Sequence, residues 1–186
     1  MSAVDPLDLR VRDLLDETAT ESATPAGGAA AAVLVGLAAA LTAMTARYSR
    51  DDWPEADAAA AQAETLRARA APLAREDVAA YEQVLRLRGE SADDEALGRA
   101  LEGAADVPLE IARVAADVAD LAGHVAERCN LAVRVDAVAA ADLAAAAARV
   151  AARLVSVNLT MRPGDERIDR AARLSDSAGR AAAALG

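Results

Sequence analysis

Residues 24–46 read Thr-Pro-Ala-Gly-Gly-Ala-Ala-Ala-Ala-Val-Leu-Val-Gly-Leu-Ala-Ala-Ala-Leu-Thr-Ala-Met-Thr-Ala, and the fold turns on this stretch. A turn carrying Pro25, Gly27 and Gly28 leads into a helix, expected from about Ala29, that has no charged side chain until Arg47. With charge absent from every face, such a helix is expected to be buried all round. Its first N–H groups have no partner within the helix, and glycine leaves the backbone open to close approach. That combination suits an anionic or polar ligand at the helix start. The uncharged run from Ser22 to Ala46 is also long enough to cross a membrane. Its strongly apolar residues are few (Val33, Leu34, Val35, Leu37, Leu41 and Met44), no one-sided basic flank adjoins it, and no second span follows. The buried helix of a soluble protein is the expected reading.

The rest of the composition agrees. The chain has 186 residues, 54% apolar and dominated by Ala, with 2% aromatic residues and no Phe. Alanine has the highest helix propensity, and its small side chain lets helices approach closely. It also buries little area, so association into a dimer is an expected source of further burial. A net charge of −10 argues against a nucleic-acid surface. All twenty basic residues are Arg, which excludes lysine chemistry, and the single Cys129 excludes a disulfide framework. The opening Met-Ser-Ala-Val-Asp-Pro lacks a signal-peptide pattern, so a cytoplasmic protein is expected.

Outward from the central helix, the chain reads as one all-α domain over 1–186. Leu7, Val11, Leu14 and Leu15 form one stripe of a short helix over 7–17, and 18–24 reads as a linker. Pro54 opens a helix that Pro72 interrupts and that resumes to Arg88. Gly89 to Ala92 is a turn, followed by helices over 93–103 and 107–128, the second with Pro108 in its first turn. Residues 129–132 interrupt the pattern before a long Ala-rich helix over 133–159. Arg162-Pro-Gly-Asp165 stops that helix, and a charged amphipathic helix occupies 166–185. No period-2 alternation or hairpin dipeptide suggests a sheet.

Candidate chemistry is sparse. His124 is alone, without ligand spacing to another His, Cys or Glu, so no metal site is expected. Asp77 and Tyr81 are four apart and share a helix face. Asn130 and Asp136 bracket the start of the long Ala-rich helix, and Asn158 lies near its end. Each polar group on an apolar helix needs a partner. A cap for Asn130, an arginine salt bridge for Asp136 and solvent for Asn158 would each suffice, and spacing does not separate these roles from a site.

In order along the chain, these residues resemble a known family. Thr-Pro-Ala-Gly-Gly-Ala before an uncharged helix is similar to the Pro-Gly-Gly-Gly-Ser turn of the cyclodeaminase/cyclohydrolase family, which includes formiminotetrahydrofolate cyclodeaminase domains and methenyltetrahydrofolate cyclohydrolases. Asp77-Val-Ala-Ala-Tyr81 resembles its Asp-x-x-Ala-Phe/Tyr, and Val107-Pro108-Leu109 its Val-Pro-Leu. Cys129-Asn130-Leu131 with Asp136-Ala-Val-Ala-Ala resembles its Gly-Asn-x and Asp-x-x-Val/Ala-Ala, and Asn158 falls where the family has an Asn. The likeness covers about 7–160.

The resemblance implies an all-helical bundle, dimeric, acting on a tetrahydrofolate derivative as substrate with no tightly bound cofactor, no nucleic acid and no membrane. The reaction would be hydrolysis of 5,10-methenyltetrahydrofolate or cyclisation and deamination of 5-formiminotetrahydrofolate. Both pass through a cationic carbon between two nitrogens, which calls for a carboxylate that moves protons. Asp77 and Asp136 are the expected catalytic residues. Pro25, Gly27, Gly28, Tyr81, Asn130 and Asn158 are expected to bind substrate, with Arg50 meeting a folate carboxylate. Ala26 replaces the first family glycine, and two further departures stand out: Ala29 replaces the family serine, and Arg50-Asp-Asp-Trp53 replaces Lys-Lys-Lys-Tyr. They define the alternative, a catalytically degenerate member acting as a helical dimeric binding module.

Overall fold

The computed structural model describes residues 5–21, 26–90 and 93–186. Eight α-helices are described: α1 (Val11–Thr18), α2 (Gly27–Tyr48), α3 (Ala56–Ala70), α4 (Leu73–Gly89), α5 (Asp94–Ala104), α6 (Asp106–Ala126), α7 (Arg134–Asn158) and α8 (Glu166–Ala183). A single 3-10 turn at Leu131–Val133 precedes α7. The described residues contain no strand, so the fold is the expected all-α bundle around one long central helix.

Breaks fall where backbone chemistry puts them. Pro72 separates α3 from α4, and Pro108 sits in the first turn of α6, where its missing N–H costs nothing. Gly164 has φ 115°, a left-handed conformation that favours glycine, and it turns the chain between α7 and α8. The α8 start is then fixed electrostatically. Asp165 accepts from the Arg167 N–H, and the Arg167 guanidinium reaches the Glu102 carbonyl and Asp106. Its bond to Arg167 holds the Asp165 carboxyl down at about 2.

The core is built largely from alanine. Ala38, Ala39, Ala43 and Ala46 of α2 are fully buried, as are Ala140, Ala141, Ala144, Ala147 and Ala148 of α7. Larger side chains come mainly from α6, where Ile111, Val114, Val118 and Val125 are fully buried. Central α2 packs on α3, α4, α6 and α7. Its buried hydroxyls are satisfied within the helix: Thr42 donates to the Ala38 carbonyl and Ser49 to the Thr45 carbonyl.

Three expectations change. Helix α2 is not buried all round: Leu37 is 52% exposed and Met44 39%, continuing a stripe with Ala30, Val33, Leu34, Leu41 and Tyr48. The four packed neighbours cover only part of its circumference. The glycine pair does not precede the helix; it forms its first two residues. Of the stripe read from Leu7, Val11, Leu14 and Leu15, Leu14 is half-buried and the other three face solvent, and α1 starts at Val11 with no buried residue. Helix α2 is the one described helix long and apolar enough to cross a membrane, and 56% of its most apolar window is covered by the protein.

Close alanine packing leaves no room for growth. Ala144→Leu should cost about 3 kcal/mol through overpacking. In a domain of this size that lowers Tm by about 6–12 °C, checked by thermal unfolding followed by circular dichroism.

Candidate functional site

Helix α2 begins without a side-chain cap, because Ala26 stands at the N-cap position and has none to offer. The cap comes from another helix. Asp77, in the first half of α4, is half-buried and accepts a hydrogen bond from the Ala29 N–H in the first turn of α2. Gly28 makes this possible: a Cβ there would lie 2.0 Å from Asp77 Oδ1 and 2.3 Å from Cγ. The glycine therefore admits a carboxylate into the space a side chain would fill. Burial pushes the Asp77 carboxyl above the ordinary carboxylate range, and the Ala29 N–H pulls it partly back.

Around this contact lies a cavity of about 270 Å³. Its floor is Ala26, Gly27 and Gly28 of the α2 start, and α4 contributes Asp77, Ala80 and Tyr81. Ala104 and Pro108 close one side, and Leu154, Val157 and Asn158 of α7 close the other. Asn158 Nδ2 donates to the Ala104 carbonyl at 2.9 Å, tying the end of α7 to the end of α5. The walls are mainly apolar, so the one acid they hold works in a low-dielectric setting.

Gly27, Gly28, Asp77, Tyr81 and Asn158 thus meet in one place. Pro25 lies outside the described residues. Asn130, Asp136 and Arg50 lie elsewhere. Helices α2 and α7 run antiparallel: the α2 start meets the α7 end at the cavity, and Ser49 meets Asn130 at the opposite end. Asp136 and Asn158 are 22 residues apart on α7, about 33 Å along its axis. Asn130 caps the 3-10 turn through the Ala132 N–H and donates to Asp52 at 2.7 Å. Arg50 pairs with Asp57 at 2.5 Å, exposed to solvent. Among the described residues, Asp136 makes no side-chain hydrogen bond or ion pair.

No group of three potential metal ligands is found among the described residues. His124 is exposed, with its ring 5.6 Å from that of Trp53.

The model of the family described as formiminotransferase-cyclodeaminase matches residues 10–174. This chain belongs to that family. A methenyltetrahydrofolate cyclohydrolase from Methylorubrum extorquens is 36% identical over 162 residues, covering 80% of this chain and 78% of the relative. The crystal structure of formiminotetrahydrofolate cyclodeaminase from Thermotoga maritima superposes with a TM-score of 0.83 at 27% identity, covering 95% of each chain. Membership places the protein among folate one-carbon cyclohydrolases and cyclodeaminases.

Sequence reasoning did not anticipate the direct seat of Asp77 against Gly28, nor the part of Ala104, Pro108, Leu154 and Val157 in the walls. Pro108 carried a signal, since Val107-Pro108-Leu109 is one of the family-like segments. The wall residues carried none: an Ala or Val on a helix reads the same in a core and beside a cavity.

A raised Asp77 pKa means that folding costs more when this group is ionised. The penalty is present at neutral pH and disappears as pH falls through the raised value. Asp77→Asn should therefore be at least as stable as wild type at pH 7, with any gain in Tm shrinking towards pH 4. Thermal melts across that range check it.

Proposed function

We propose that the protein hydrolyses the methenyl bridge of 5,10-methenyltetrahydrofolate, with Asp77 as the proton-transfer group. The observation that carries this reading is the Asp77 carboxylate seated on Gly28 in a mainly apolar cavity. The methenyl carbon is cationic and lies between N5 and N10. An ionised Asp77 beside it stabilises that charge and draws a proton from the attacking water. Water oxygen bonds to the carbon, and the carbon–N5 bond then breaks as the proton passes to N5. The hydroxyl proton leaves to solvent, and a formyl group remains on N10. A carboxyl with a raised pKa suits a group that must both take and return a proton.

Tyr81 and Asn158 flank the same space and serve as binding groups, with the backbone of Gly27 and Gly28 in close approach. The 36% identity to a methenyltetrahydrofolate cyclohydrolase favours hydrolysis over the formimino reaction. The experiment is absorbance loss of methenyltetrahydrofolate above its spontaneous rate. Asp77→Asn and Gly28→Ala should each lower kcat by about 100-fold or more while the helical spectrum stays native. A wild-type rate equal to the spontaneous one, with no thermal stabilisation by folates, would establish the degenerate binding module instead.

The protein acts as a homodimer in this proposal. The support is the exposed apolar stripe of α2 together with the solvent-facing Leu7, Val11 and Leu15 of the α1 region. Burying such faces is the usual origin of a self-complementary two-fold contact. If the two copies of α2 cross antiparallel, the end carrying Arg50, Asn130 and Asp136 lies over the other copy's Gly27 end. That arrangement gives the two distant groups of family-like residues one shared site. Leu37→Glu should convert a particle of twice 19.0 kDa to one of 19.0 kDa in light scattering, with loss of turnover. A fully active monomer would make the Asp77 cavity sufficient by itself.

A further inference from the structure

The cavity at Asp77 does not end at Tyr81. A second hollow of about 540 Å³ shares Tyr81, Val157 and Asn158 with it and continues along α4 to Arg88. Helical geometry aligns the groups. At 100° per residue, Tyr81 lies 40° and Arg88 20° round the axis from Asp77, so all three occupy one stripe. Along the axis they stand about 6 Å and 16 Å from Asp77. The intervening walls are mainly apolar, with Leu97 and Leu101 of α5, Val157 of α7 and Met161 just beyond it, and with Asn158 and Thr160 as polar members.

Arg88, exposed at the rim of this hollow, forms no ion pair or side-chain hydrogen bond among the described residues, and neither does Arg86, whereas three arginines of the neighbouring elements are paired. Arg99 pairs with Glu95, Arg162 with Glu102 and Arg167 with Asp165. What sets Arg88 apart from Arg86 is its place: it lines the outer end of a mainly apolar hollow, where a guanidinium can bind a carboxylate in fork geometry. One acid, Asp94, lines the same hollow, and Glu90 and Asp93 lie close to Arg88 and Asp94 in sequence.

We propose that Arg88 is a specificity-determining residue that holds the glutamate carboxylate of a folate substrate, and that the surrounding acids restrict the site to a single glutamate. This rests on the folate reading above. The one-carbon unit then sits at Asp77, the aminobenzoyl ring crosses between Tyr81 and Val157, and the tail ends at Arg88. Further glutamates would meet Asp94 and its acidic neighbours, where like charges repel.

The test compares Kd and KM for three ligands: methenyltetrahydrofolate, its analogue ending at the aminobenzoate, and its triglutamyl form. Wild type should prefer the monoglutamate over the truncated analogue by about tenfold, the scale of one charge-assisted contact. It should also prefer the monoglutamate over the triglutamate. Arg88→Gln should erase the preference over the truncated analogue by raising KM for the monoglutamate, with kcat unchanged. Asp94→Asn should improve the triglutamate. Arg86→Gln, 180° round the helix from Asp77, should change none of these values. An unchanged preference in Arg88→Gln, or a loss confined to kcat, overturns the assignment and leaves the folate reading standing. Failure of wild type to bind or turn over any of the three ligands overturns both.

Discussion

The contact between the Asp77 carboxylate and the first turn of α2 organises one whole end of the molecule. It is a helix cap supplied from a different helix. Ala26 has no side chain to give, and Gly28 has none to obstruct, so the α2 start is open to an acceptor brought by another element. The α2 macrodipole and the Ala29 N–H favour the ionised form, while burial disfavours it more strongly. The result is a carboxyl whose proton is held more tightly than usual, beside an open cavity. A group that served only as a cap would be better left in water, where the charge costs less.

Alanine makes this arrangement geometrically possible. Where α2, α6 and α7 meet, side chains of one methyl group let backbones run close, and the antiparallel α2–α7 pair keeps the two ends of the bundle chemically distinct. At one end stand the α2 start, Asp77 and the α7 end. At the other, Ser49, Asp52 and Asn130 interlock through hydrogen bonds of 2.9 and 2.7 Å. The same small side chains limit how much apolar surface each helix buries within one copy. That explains why α2 still shows Leu37 and Met44 to solvent.

Helix-scale features were legible in the sequence because they depend on local rules. Proline at 72 and 108, the uncharged run after Gly28 and the stop at Arg162-Pro-Gly-Asp165 each fix a boundary through backbone chemistry alone. The Asp77–Tyr81 pair was legible as a shared face, since helical spacing is regular. Residues separated by whole helices were harder. The sequence already placed Asn130 and Asp136 at the start of the long helix and Asn158 near its end; what it did not show is that only the Asn158 end meets the α2 start. The full burial expected for α2 failed for a related reason. Lack of charge says that a face tolerates burial, and only packing says what covers it.

The distribution of charge along α4 points to the kind of molecule this end of the bundle accommodates. Asp77 and Arg88 lie on one stripe with apolar walls between them, an acid at the inner end and a base at the outer. A rigid ligand that is cationic near one end and anionic at the other can satisfy both only in one orientation. Reversing it would set like charges together, at greatest cost beside the half-buried Asp77. Orientation is thus set by the ends and affinity by the apolar middle. In the proposed reaction the one-carbon unit would then arrive at Asp77, a carboxyl whose burial has already raised its proton affinity.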